Sequence, residues 1–105
     1  MPTLTVALDG ELDFATAFDV ELRLEEAIRQ ADRVVVDLSN LDFIDSTGLR
    51  ALIAANERAR SAGRRLVVVR GAKAVDRLLA LTQLDQRLEI VDDPDAVVAR
   101  PVSRD

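Results

Sequence analysis

Val34-Val35-Val36-Asp37-Leu38, running through Ser39-Asn40-Leu41-Asp42-Phe43-Ile44-Asp45 into Ser46-Thr47-Gly48-Leu49, sets the fold class of this chain. Its first five residues are apolar and β-branched with almost no alternation, the pattern of a central strand covered on both faces. Ser39 to Asp45 is expected to form the following loop, with Leu41, Phe43 and Ile44 pinned to the core. From Ser46 the period changes. Leu49, Leu52, Ile53 and Asn56 fall on one stripe, predicting a helix from Ser46 to Ala62, with Gly63 supplying a left-handed C-terminal cap.

Similar units lie on either side. Upstream, Leu4, Val6 and Leu8 alternate with Thr3, Thr5 and Ala7, which predicts a strand from Thr3 to Leu8 with one buried face. Asp9-Gly10 gives a turn or bulge signal. Gly10-Glu11-Leu12-Asp13 then leads into a helix reaching about Ala31, where Thr16 and Asp19 resemble a capping box. Its stripe is Val20, Leu24, Ala27, Ile28 and Ala31. Downstream, Leu66 to Val69 reads as another buried strand, Val75, Leu78 and Leu79 as a short amphipathic helix, and Leu88 to Val91 as a final strand. Asp93-Pro94 is expected to open a last helix through Val98, and Pro101 to Asp105 to fray. Strands alternating with helices imply parallel pairing and right-handed crossovers. The expected architecture is therefore an open mixed α/β sheet of four or five strands, with helices mainly on one face.

Composition narrows the function. With 105 residues, 49% of them hydrophobic, the chain builds one core. A formal net charge of −5, no Trp, no Tyr and three phenylalanines, read as core, disfavour nucleic acid as a partner. Arg58, Arg60, Arg64 and Arg65 read as a solvated helix end, favoured there by the dipole. Without Cys or His there is no thiolate chemistry, no zinc site and no histidine base. No charged leader precedes an apolar segment and no run is long enough to span a membrane, so a cytoplasmic protein without membrane insertion is expected.

The chemistry-bearing segment is Asp42 to Leu49, because it sets two hydroxyls and two carboxylates in a loop that opens a helix after a central strand. Open α/β sheets gather their sites at such strand ends. Taken alone, Asp45, Ser46 or Thr47 is an N-cap. Capping and switching are compatible: a phosphate on Ser46 would meet first-turn N–H groups and the positive end of the helix dipole. It would also add a charge of about −1.5 to −2 beside Asp45, which a partner fitted to the neutral hydroxyl would not accept.

Gly10-Glu11-Leu12-Asp13, then Val34-Val35-Val36-Asp37-Leu38-Ser39, then Phe43-Ile44-Asp45-Ser46-Thr47-Gly48-Leu49, in that order and spacing, resembles the STAS domain of bacterial anti-sigma factor antagonists. Ala74-Val75-Asp76-Arg77-Leu78-Leu79 carries the resemblance over nearly the whole chain, with residues 1–100 as one domain. It implies that Ser46, directly after the loop aspartate, is phosphorylated by an anti-sigma factor that is also a serine kinase of GHKL type. The unphosphorylated form would bind that factor and free its sigma factor, and a metal-dependent serine phosphatase would restore it.

Partner-binding positions implied in the same way are Asp13, Asp45, Ser46, Thr47, Gly48, Leu49 and Arg50. Several have plainer readings: Asp13 as a turn residue, Leu49 as core, Arg50 as surface. Gly48 either permits close approach of a partner or is a helix glycine costing about 1 kcal/mol relative to Ala. The family's extra N-terminal edge strand looks shortened or absent, which leaves a sheet edge open to homodimer formation.

Two rival readings remain. The same domain serves as a subunit of transport assemblies, such as one bound to a lipid-transport ATPase. An enzyme is disfavoured, since there is no Gly-x-Ser-x-Gly elbow and no Walker loop around Lys73; no cofactor is expected.

Overall fold

A computed structural model describes residues 2–83 and 87–92. Strands and helices alternate along it: β1 Thr3–Leu12, α1 Ala17–Gln30, β2 Arg33–Ile44, α2 Ser46–Ser61, β3 Arg65–Val69, α3 Lys73–Leu81 and β4 Glu89–Val91. The expected helix from Asp93 through Val98 and the tail from Pro101 lie outside the described residues.

The four strands pair in the order β1-β2-β3-β4, and each described pair is parallel. Because that order never reverses, right-handed crossovers carry every connecting helix to one side of the sheet. The packing agrees. Val34, Val36, Leu66 and Val68 on one face join Leu24, Ile28, Leu52 and Ala55 of α1 and α2, and Val75 and Leu79 of α3, in one buried cluster. Val35, Val67, Val69 and Val91 form a second buried cluster on the opposite face. Central strands buried on both sides account for the unbroken valine runs.

Two expectations are corrected. Ser39 to Ile44 is strand, because β1 also continues beyond Leu8 and pairs Gly10 with Leu41 and Leu12 with Ile44. The register shifts between Ala7 and Asp9 and again between Gly10 and Glu11, each time with an extra residue on β2. Gly10, at φ +70°, provides the left-handed backbone for this irregular stretch. The two bulges break the period of two, so the strand reads as a loop in sequence.

The second correction concerns the phenylalanines. Phe14, Phe18 and Phe43 are 83%, 67% and 48% exposed, so the described core is aliphatic. Phe18 lies off the buried stripe of Ala17, Val20, Leu24, Ala27 and Ile28. Phe43 pairs with Glu11 and therefore points away from the helix-covered side occupied by Leu12 and Ile44.

No helix of the described residues is long and apolar enough to cross a membrane. Gly63 takes φ +72°, the left-handed conformation expected after α2, and its N–H donates to the carbonyl of Arg60. At the start of β3, Arg65 Nε donates to Glu89 Oε1 at 2.9 Å, tying that strand to β4.

An aliphatic core with exposed phenylalanines makes opposite demands on two neighbouring substitutions. Leu24→Ala should cost about 2–5 kcal/mol of unfolding free energy, whereas Phe18→Ala should stay within about 0.5 kcal/mol of the parent. Urea unfolding followed by far-UV circular dichroism measures both.

Candidate functional site: the first turn of α2

The site forms where the carboxyl ends of β1 and β2 meet the start of α2. Asp45 is the residue between strand and helix, in extended conformation. Its N–H donates to the carbonyl of Leu12 at 3.2 Å, holding it to the end of β1. Its Oδ1 accepts from the Gly48 N–H at 3.0 Å, the N-cap bond of α2. Its Oδ2 accepts from the Phe14 N–H at 3.2 Å, reaching the turn that precedes α1. One carboxylate thus ties together the turn after β1 and the start of α2.

That turn is held by Asp13, whose Oδ1 accepts from the N–H groups of Ala15 at 3.0 Å and Thr16 at 3.2 Å. The expected capping box at Thr16 and Asp19 is not formed. Thr16 is the N-cap by position, but its side chain makes no cap bond. Its hydroxyl donates to the Glu11 carbonyl at 2.8 Å and accepts from the Asp13 N–H at 2.9 Å. The Thr16 hydroxyl is thus engaged inside the turn and does not reach the first-turn amides of α1, while the Asp13 carboxylate makes charge-assisted bonds to the turn amides.

Gly48 is buried against the sheet. A Cβ there would lie 2.4 Å from the Leu12 carbonyl oxygen, 2.7 Å from Leu12 Cγ and 2.9 Å from Ile44 Cγ1. The glycine therefore serves a close approach within the chain, letting the first turn of α2 sit directly on the ends of β1 and β2. Leu49 is 3% exposed and belongs to the core. The Leu49 N–H donates to the Asp45 carbonyl at 2.9 Å, closing the first helical bond.

Ser46 and Arg50 are exposed, and Thr47 is half-buried. Ser46 is the first residue of α2 and Arg50 follows it one turn later, on the same side of the helix. The predicted residues thus divide into a clamp of half-buried Asp45 with buried Gly48 and Leu49 and an outward group of Ser46 and Arg50, with Asp13 beside the clamp. Sequence reasoning placed Phe14 in the core, yet its backbone is bound to Asp45 and its ring is exposed. Its place in the turn directly after Asp13, ahead of the apolar stripe of α1, is the signal that could have marked it as surface.

A family model described as the STAS domain matches residues 2–96. The anti-sigma F factor antagonist of Paenibacillus polymyxa is 35% identical over 92 residues, covering 86% of this chain and 79% of that protein. SpoIIAA has been solved as an anti-sigma factor antagonist in its unphosphorylated form. It superposes with a TM-score of 0.69 at 17% identity, over 92% of this chain and 86% of its own. The Bacillus cell fate determinant SpoIIAA in the phosphorylated form gives 0.68 at 17% identity, over 92% and 89%. A sulfate transporter family protein from Wolinella succinogenes gives 0.79 at 18% identity, over 92% and 82%. At these identities the solved structures share the fold.

The clamp makes two effects at Gly48 compete. Helix propensity favours Gly48→Ala by about 1 kcal/mol, but a methyl 2.4 Å from a backbone carbonyl oxygen forces the helix and sheet apart, at about 1–3 kcal/mol. Packing should win, and thermal unfolding should show the variant destabilised. Asp45→Ala should lose about 1–2 kcal/mol, and Asp45→Asn, which keeps an acceptor for Gly48, distinctly less.

Proposed function

The chain belongs to the STAS domain family, among homologues of the anti-sigma factor antagonists, and from that premise we propose that it is a partner switch controlled at Ser46. In its unphosphorylated form it binds an anti-sigma factor that is also a serine kinase of GHKL type, and so releases that factor's sigma factor. The kinase phosphorylates Ser46 and ends the complex; a metal-dependent serine phosphatase resets it. The chain acts as a binding protein, with ATP and its metal brought by the kinase.

The observation that carries this reading is the exposure of Ser46 at the first position of α2, immediately beside a clamp that does not use its hydroxyl. Asp45 takes the Gly48 and Leu49 amides. The Ser46 and Thr47 amides occupy first-turn positions with no intrahelical acceptor. A phosphate on Ser46 therefore meets N–H groups and the positive end of the dipole without disturbing the core. The same phosphate stands beside Asp45, close to the turn that Asp13 holds. Added negative charge and bulk then act on the partner, whose fitted surface must desolvate them.

SpoIIAA has been solved in both phosphorylated and unphosphorylated forms with this fold, which supports a modification that leaves the domain intact. Arg50 completes the outward surface as a contact for the partner.

The test compares wild type, Ser46→Asp and Ser46→Ala as bait in extract of the native cell with ADP present, captured proteins being identified by mass spectrometry. Wild type and Ser46→Ala should retain a GHKL-type kinase, and Ser46→Asp should retain at least tenfold less of it. Equal affinity of both variants for that kinase would refute the switch. Recovery of a transport ATPase by all three would replace it with a transport-subunit role.

A further inference from the structure

All three phenylalanines of the chain are exposed, and two of them belong to one apolar stripe. Phe18 and Leu22 are one turn apart on the outer face of α1, 67% and 48% exposed. The Ala17 N–H donates to the Asp13 carbonyl at 2.8 Å, a helical bond that places Phe14 one further turn ahead. Phe14 in turn donates its backbone N–H to Asp45. The stripe therefore begins at the clamp beside Ser46 and runs outward along α1.

Its surroundings are strongly acidic. Between Asp9 and Glu26 there are seven carboxylates and one arginine. Asp19 and Glu25 stand three residues from Leu22, at the rim of the stripe, and Glu26, one turn on, is paired with Arg29. The single arginine, Arg23, turns toward the sheet, its Nη2 donating to the Ala7 carbonyl at 3.2 Å. Basic residues gather at the other end of α2, where Arg60, Arg64, Arg65 and Arg87 line a cleft of about 350 Å³.

We infer that Phe14, Phe18 and Leu22 are the apolar anchor by which this chain holds its anti-sigma factor, and that the anti-sigma factor receives them in an apolar groove rimmed by Lys and Arg. The inference rests on the Ser46 reading and extends that contact along α1. Aromatic residues, Phe among them, are enriched at protein interfaces relative to the rest of the surface. Here they gain nothing from the core, so their exposure is a solvation cost that a partner removes. The acidic rim selects a basic counterpart and repels a second copy of this chain placed stripe to stripe.

Division of labour follows. Ser46 reports the phosphorylation state, whereas the stripe supplies affinity that does not depend on it.

The experiment uses the purified full chain and the purified GHKL-type anti-sigma factor captured by it, with affinities measured by calorimetry at 50 and 300 mM NaCl. The variants are Phe18→Ala/Leu22→Ala and, separately, Ser46→Asp, each checked for an unchanged far-UV spectrum. The double variant should bind at least 30-fold more weakly than wild type, and wild-type affinity should fall with salt. A double variant within threefold of wild type, beside a Ser46→Asp variant that no longer binds, overturns the anchor and leaves the switch standing.

A wild type that does not bind the factor removes both. Sedimentation of the free chain addresses the other occupant: a dimer that the double variant dissolves would assign the stripe to self-association and overturn the proposal.

Discussion

The structure depends on bringing a helix terminus into contact with the ends of two strands. At Gly48 the backbone of α2 comes so near the Leu12 carbonyl that no side chain fits between them. Asp45 supplies the bonds that make the approach sustainable, one to the end of β1, one to the turn after it and one to the helix itself. A buried helix start without such partners would leave several N–H groups unsatisfied. The clamp places Ser46, an exposed residue, where α2 starts at the ends of β1 and β2.

The segments Val34 to Leu38 and Leu66 to Val69 were legible as central strands because burial on both faces writes itself into sequence as unbroken apolar runs. The stripes of α1 and α2 were legible for the converse reason, one buried face and one wet one. Asp45 and Ser46 could be found because a capping residue before a helical stripe is a local signal.

What escaped was non-local. The second half of β2 is a strand only because β1 continues beside it, and its two bulges erase the alternation that would have announced it. Thr16 looks like a cap until its hydroxyl is seen to be turned back onto the Glu11 carbonyl and the Asp13 N–H. The role of Gly48 depends on Leu12, thirty-odd residues away, and no spacing rule reaches that far. The phenylalanines were misplaced because residue type outweighed position. Phe18 sits off the buried stripe of its own helix, and periodicity alone assigns it to the surface.

Charge is distributed along α2 as well as around it. Its first turn faces the acidic end of the molecule, and its last turn carries Arg58 and Arg60. The helix is about 24 Å long, so these two ends are farther apart than a Debye length at physiological salt. A phosphate placed on Ser46 would therefore be a local electrostatic event, strong at the acidic end and scarcely felt at the basic pole.

The strand order also bears on how the molecule is made. Each strand lies beside the one synthesised before it, so the sheet can grow in the direction of translation without waiting for a later segment to insert between earlier ones. The bond from Phe14 to Asp45 closes a loop of only 31 residues, and Asp45, Gly48 and Leu12 all lie in the first half of the chain. Loop-closure entropy rises slowly with length, so the clamp needs no more of the polypeptide than β1, α1, β2 and the first turn of α2. The corner around Asp45 and Ser46 is complete before β3 and β4 are made, and those strands widen a sheet whose corner is already defined.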